Sequence, residues 1–528
     1  MRYENITPYQ INKKLQARFT KDGFLSLANL PHPSTLKDMN KATNRIVQAI
    51  KNREKIVLIG DYDVDGVVST TIIKLFFNEI GVKLEWIIPN RFKDGYGLSA
   101  NIIPKIVNYD LAITVDNGIS AVEASKLCKK YNIDLIITDH HMVPKELPIA
   151  YAIVNQKQSD CLFPYNEICG AQIAWYLIAS LNKSLNSNID IKKYIGLVSI
   201  AIIADMMPLQ HINRAMVKAG LKLLPQSELP AIRAFITKLD KEVLNSEDIA
   251  FGVAPILNSA GRMDDAKWAV EFLLSNNIYD AKIRLDRLIE FNENRKNTEQ
   301  NITQEALNLV NSEDKVIVVN GKNWHEGVVG IVAARVGRIH KKPTIVLTQS
   351  EHNDLKGSGR SFHICNLFKI TEKSKELLNK FGGHHSAIGL SLPFENLDRF
   401  KKELQLNYMA ENYNENIIDA DILGALDFSY INFNLIDIFK QYEPYGQANS
   451  RPKFITYGVT IEDVSTMGKN GEHKRFLLSH NGVIHTAILF KTQLEFNIGD
   501  KINVIYTINE NHFNNRVTIQ LMIESIEY

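Results

Sequence analysis

Between Lys55 and Asn155 the chain carries five short runs, KIVLIG, KLEWIIP, LAITVDN, DLIITDHH and AYAIVN, that are apolar without polar alternation. Between them lie VVSTTIIKLFFNEIG, closing on Gly81, and SAVEASKLCKKYN, whose apolar residues fall at helical spacing. A strand apolar on both faces needs cover on both faces, and interleaved helices supply it. The stretch therefore predicts an α/β fold built on a parallel sheet. Ligands of such sheets bind beyond the carboxyl ends of the strands.

Those ends are acidic. GDYDVDG follows the first run and sets Asp61, Asp63 and Asp65 at every second position; TVDNG adds Asp116, TDHH adds Asp139, His140 and His141, and IADMMPL adds Asp205. Singly, each has an ordinary explanation, an aspartate as helix cap or turn former and a histidine as a surface residue. Together they aim carboxylates from separate strands at one edge with no basic neighbour in sequence. Carboxylates so placed resist ionisation unless a cation sits among them. An oxygen-rich set with one or two imidazoles suits Mn²⁺ or Mg²⁺ rather than structural zinc. Some five carboxylates predict two ions about 3.5–4 Å apart, able to activate water and hold both sides of an in-line displacement at phosphorus.

At 528 residues the chain exceeds one core. A mainly helical stretch runs from Gly170 to Ala269, and DAKIRLDRLIEFNENRKNTEQNITQEALNLV predicts one long helix whose middle, Asn292 to Asn301, has no apolar residue. Such a middle is expected to bridge domains through solvent. A second α/β pattern starts at DKVIVVNG and continues through KPTIVLTQS to SAIGLSL; from about Tyr445 some five short strands predict a small barrel of the OB type. The expected divisions are an N-terminal extension (1–50), a catalytic α/β domain (51–275), a connector helix (276–312), a smaller α/β domain (313–425) and the barrel (426–528).

A net charge of +2 neither requires nor excludes nucleic acid as partner. Cys128, Cys161, Cys169 and Cys365 lack zinc spacing and read as free thiols of a reducing compartment. The N-terminus lacks a signal pattern, and the most apolar stretch, Tyr194 to Ala204, is short for a membrane span, so a soluble cytoplasmic monomer is expected. No G-x-G-x-x-G follows the first strand, which sets dinucleotide cofactors aside.

GDYDVDG, TVDNGIS, TDHH and ADMMPL, in this order, resemble the four motifs of the DHH phosphoesterase superfamily, and within it the RecJ type of single-strand-specific exonuclease. GRMDDA, NWHEGVVGIVAARV, GSGRS and FGGHHSAIGLSL match further motifs, the last three from the DHHA1 domain, and YEPYGQANSRPKF resembles the entry to the OB-fold. The resemblance implies a Mn²⁺- or Mg²⁺-dependent enzyme removing nucleotides from the 5′ end of single-stranded DNA in recombination and repair, with a single-strand-binding protein and a helicase as partners. Carried over by motif, Asp61, Asp63, Asp65, Asp116, Asp139, His140 and Asp205 are the metal set. Asp139, His140 and His141 are the catalytic set, and His141 either supports the ligands or contacts the scissile phosphate.

KGSGRS packs glycines, hydroxyls and Arg360 as a phosphate seat would, so Ser358, Gly359, Arg360 and Ser361 are candidate substrate contacts, as are Arg262, Gly383 and His384. Arg91 and Tyr96 follow a strand end; Trp324 and His325 could stack on a base, and Lys469, His473, Lys474 and Arg475 beside Phe476 could bind a strand. Departures from the family pattern are Ile256 where an arginine is usual, Ile388, Ala448 and Ser450, which bear on affinity and processivity rather than on the metal set. Two other readings are a DHH phosphodiesterase of short oligonucleotides or cyclic dinucleotides, against which the extra C-terminal domain speaks, and a non-catalytic strand-binding relative, against which the intact acids speak.

Overall fold

A computed structural model describes residues 2–20, 24–241, 243–349, 354–411, 413, 421–468, 471–492, 494–513 and 516–527. The first sheet is wholly parallel. It comprises β1 (Ile56–Ile59), β2 (Glu85–Ile87), β3 (Leu111–Val115), β4 (Asp134–Thr138) and β5 (Ala152–Val154), in the order β2-β1-β3-β4-β5. Its apolar runs are unbroken because both faces are covered. Val57, Ile59, Ala112, Leu135 and Ile137 pack with Ile103, Ile106 and Ala124 on one side. Leu58, Ile113, Val115 and Ile136 pack on the other with the helices Val64–Glu79 and Gly170–Leu185. Each fully buried aliphatic contributes about 1.5–3 kcal/mol by leaving water. The core fixes where the strands end, and so where the acids stand.

The connector is a single helix, Ile278–Asn308, whose polar middle is solvated on one face, where Glu293, Asn294, Lys296, Asn297, Gln300 and Asn301 are exposed, and buried on the other. Asn292, Glu299 and Thr303 are buried where the helix meets the next domain. Glu299 receives Arg295 of its own helix at 2.7 Å and Arg335 of the second domain at 3.1 Å, and Arg295 also donates to Asn292 at 2.9 Å. Charges that read as a solvent-facing surface are matched by a partner remote in sequence.

The second sheet holds β6 (Ile317–Lys322), β7 (Thr344–Gln349), β8 (Asp354–Arg360), β9 (Lys380–His384) and β10 (Ala387–Pro393), in the order β6-β7-β8-β10-β9, and only β6 and β7 are parallel. In the tail, β12 (Lys453–Met467), β13 (His473–His480), β14 (Val483–Leu489), β15 (Lys501–Phe513) and β16 (Arg516–Glu527) close into a barrel through the β12–β15 pairing, with β11 (Ile422–Ala425) alongside β12. Phe454, Phe476, Tyr506 and Leu521 fill it, joined from the other end of the chain by Ile11, Leu15 and Phe19. Asn5 bridges to Ala425, and Ile6 N–H donates to the Ala425 carbonyl at 2.8 Å. Among the described residues no helix is long and apolar enough to cross a membrane.

Candidate metal centre and anion pocket

The acids gather where the strands of the first sheet end. Asp63 caps the helix Val64–Glu79, its Oδ1 accepting from the N–H groups of Asp65 and Gly66 at 2.9 and 3.2 Å. Asp65, in the first turn of that helix, accepts from the N–H groups of Gly170 (2.5 Å) and Ala171 (2.8 Å) at the positive end of the sixteen-residue helix Gly170–Leu185. Gly170 also lets Asp116 come close, since a Cβ there would lie 2.6 Å from that of Asp116. Asp116 follows β3 with φ of 61°, a left-handed conformation that aspartate tolerates better than most residues. Asp205 ends the helix Ile195–Ala204.

Three overlapping groups result: Asp61, Asp63 and Asp116; Asp65, His140 and Asp205; and Asp116, His140 and His141. Within each, one donor atom per residue lies within 4.8 Å of the others. His140 Nε2 sits 3.2 Å from Asp116 Oδ1 and 3.7 Å from both Asp65 Oδ2 and Asp205 Oδ2. Asp61 Oδ1, Asp116 Oδ1, Asp205 Oδ2 and His140 Nδ1 are buried without a hydrogen-bond partner among the described residues. Burial, followed by the neighbouring carboxylates, drives Asp61 and Asp116 well above the usual carboxylate range and Asp205 to about 9. Buried oxygens that repel one another and lack donors are what a divalent cation satisfies, so the donor set fits Mn²⁺ or Mg²⁺.

Asp139 stands apart from these groups. Its Oδ2 accepts from Ile119 N–H at 2.8 Å, and its Oδ1 accepts from the backbone N–H of His141 at 3.0 Å and lies 2.7 Å from His141 Nδ1. Burial alone would raise its pKa; the His141 contact and the backbone donors outweigh burial and hold it below the ordinary value. Burial likewise opposes the charge on His141, but Asp139, then Asp61 and Asp63, lift it to about 9. On its other side His141 Nε2 faces the Tyr96 hydroxyl at 3.3 Å.

Beside the cage lies a cavity of about 200 Å³ lined by Arg91, Arg262, Arg360 and Ser358, with Tyr62 and Asp63 on its wall. Arg262 comes from the first domain and Arg360 from the end of β8 in the second. Burial, reinforced by Arg91, Arg360 and Arg295, lowers Arg262 to about 10. Gly327 makes the close seam possible: a Cβ there would lie 2.0 Å from the Arg262 carbonyl oxygen, while Arg262 Nη1 donates to the Gly327 carbonyl at 3.3 Å. Three mutually repelling guanidinium groups around one cavity have the charge to receive an anion.

Other candidates take up different positions. Gly359 is a packing residue, paired with Ile388, whose extra bulk lies in the core over a glycine that has no side chain to clash with it. Ser361 ties its loop to Ser386 and Cys365. Gly383 and His384 sit in the exposed β9–β10 hairpin, His384 being depressed by burial, then by Arg360 and His385. Trp324 is buried, its indole N–H donating to Glu305 at 2.7 Å, which removes its faces from any base. His325 is half-buried, accepts from Gly327 N–H at 3.1 Å, and meets the Phe92 ring edge-on. Ile256 packs against the main core. In the barrel Phe476 faces inward onto Phe496, and Lys474 is nearly buried; Lys469 lies outside the described residues. Sequence reading missed Tyr62 and Asn258, although both lie inside or beside motifs already singled out; Asn258 accepts from Val64 N–H at 3.2 Å and lines the arginine cavity.

A carboxylate-and-histidine cage at the carboxyl edge of a parallel sheet, a second α/β domain and an anion pocket between them define a phosphoesterase of the DHH class. The DHH family N-terminal domain matches residues 55–202, the DHHA1 domain 313–408 and the RecJ OB domain 422–525. The single-stranded-DNA-specific exonuclease RecJ of Haemophilus influenzae is 30% identical over 96% of this chain and 94% of its own length. The RecJ of Bacillus subtilis is 32% identical over 94% of this chain, which spans 64% of that relative's length. The crystal structure of the Thermus thermophilus RecJ in complex with Mn²⁺ superposes with a TM-score of 0.82 at 24% identity, covering 100% of this chain and 79% of that one. The chain belongs to the RecJ family.

Proposed function

We propose that the chain is a two-metal-ion exonuclease that hydrolyses single-stranded DNA from the 5′ end, in recombination and repair. The observation that carries this reading is the adjacency of the unpartnered cage and the arginine cavity, which share Asp63. A terminal phosphate carries more charge and more free oxygens than an internal phosphodiester, and three guanidinium groups suit the former. Seated there, the 5′ phosphate would leave the first phosphodiester at the cage.

Asp61, Asp63, Asp65, Asp116, His140 and Asp205 would hold Mn²⁺ or Mg²⁺. When bound, the ions supply Lewis-acid polarisation and a water of lowered pKa. The chain's own groups do the remainder. Asp65 is fixed by a helix terminus, and Asp139 fixes the His141 ring. His141, held through Nδ1 by Asp139, carries its Nε2 beside the Tyr96 hydroxyl, from where it can reach a phosphate oxygen. Arg91, Arg262, Arg360 and Ser358 orient the end of the strand. The barrel offers a further surface for the strand; a single-strand-binding protein and a helicase as partners, a cytoplasmic location and a monomeric state belong to the same reading.

Strands labelled at the 5′ or 3′ end and digested in Mn²⁺, with and without chelator, test the proposal. Release of the 5′ label as mononucleotide, abolished by chelator, is expected. Degradation from the 3′ end, or dinucleotides turned over as fast as long strands, would overturn it.

A further inference from the structure

Lys157 stands in the loop after β5, on the same edge as the cage. Fully buried Asn155 clips this loop to the histidine pair: its Nδ2 donates to the His141 carbonyl at 2.9 Å, and its Oδ1 accepts from Lys157 N–H at 2.7 Å. The Lys157 side chain is only 16% exposed, yet its ammonium has Glu167 no nearer than 4.0 Å. Its charge bears on His140 and Asp205 in the cage and, across the space between domains, on His384. The arginine cavity is lined by Tyr62 and Asp63, which follow β1, whereas Lys157 follows β5 at the other side of β3 and β4 in the strand order. The cage is thus set between two cationic positions, three arginines on one side and a lysine on the other.

A strand with its terminal phosphate among the arginines and its first phosphodiester at the cage continues past the far flank. Building on the exonuclease reading above, we propose that Lys157 binds the second phosphodiester of the single strand, the one on the 3′ side of the scissile linkage. An internal phosphodiester carries one charge, which a single ammonium matches, whereas the forked guanidinium groups suit the terminal group. Lys157 is in this view a substrate-binding residue that holds the strand in register while the first linkage is cut.

The test uses a 5′-phosphorylated oligonucleotide whose second linkage is either the natural phosphodiester or an uncharged methylphosphonate. The full chain is assayed in excess Mn²⁺ as wild type, Lys157→Met and Lys157→Arg, reading kcat/KM for release of the first nucleotide. The neutral linkage should slow the wild type about tenfold. Lys157→Met should lose about as much on the natural strand and little more on the neutral one, with the loss mainly in KM, while Lys157→Arg retains most activity. An unchanged rate for Lys157→Met on the natural strand, or a further loss of about tenfold when it meets the neutral linkage, would overturn the assignment. A wild type that releases no 5′ nucleotide from either strand would instead sink the exonuclease reading on which the assignment rests.

Discussion

The cage and the connector helix both bury charge, and they do so in opposite ways. Around Glu299 each charge meets a partner, with Arg295 and Arg335 on the same carboxylate. In the cage, Asp61, Asp116 and Asp205 face one another with oxygens that no donor among the described residues reaches. A balanced cluster holds domains together; an unbalanced one is stabilised by something the polypeptide does not carry. The arginine cavity repeats the second case with the sign reversed. Burial of charge alone therefore says little about function, whereas the residual charge after pairing says a great deal.

The largest expected contrast is in rate. His140→Ala removes an imidazole common to two of the donor groups. Hydrolysis should fall by about a thousandfold or more while the melting temperature holds, as checked by single-turnover assay and calorimetry. The opposite pattern is expected for Glu299→Ala, which strands two arginines. Folding stability should drop by about 2–4 kcal/mol in denaturant titration, discounted for the partial exposure of Arg335.

Arg360→Ala should weaken binding of a 5′-phosphorylated strand by about 1.5–3 kcal/mol and reduce the slope of log affinity against log salt by about one, measured by fluorescence anisotropy. An unchanged slope would remove Arg360 from the phosphate site. The smallest effect is on the metal-free protein. Asp61, Asp116 and Asp205 have folded pKa values above their unfolded ones. Their stabilising contribution is therefore complete below about pH 4 and is lost as pH rises, for Asp205 through about 9. In chelator the melting temperature should fall by a few degrees between about pH 5 and 8, and Mn²⁺ should reverse that fall. Asp116→Asn should flatten the chelator curve; an unaltered curve would show that the cage is not frustrated.

Much of this was legible from the chain alone because the relevant physics is local. Short unbroken apolar runs such as IVLI, alternating with amphipathic segments, read as strands covered on both sides, and acids placed directly after them inherit the sheet's edge. What escaped was pairing across long separations. Nothing in the local sequence around Arg295 tells that Arg335 will share its carboxylate, so the buried face of the helix middle does not stand out from the exposed one. Trp324 and Phe476 are chemically apt for stacking on bases, but the core and Glu305 take them first. Asp139 reads as a ligand from the motif alone, which carries no sign that its oxygens meet the Ile119 N–H and His141. The convergence of Arg91, Arg262 and Arg360 depends on how two domains meet, which no motif spacing encodes.

The pairing of Asn5 with Ala425, and of Ile11, Leu15 and Phe19 with the barrel interior, has a temporal consequence. These residues leave the ribosome well before the surfaces that shelter them. During synthesis an amphipathic helix must remain exposed until the barrel closes. The barrel in turn completes its interior only by recruiting a segment made long before it, so its closure couples stretches far apart in the sequence.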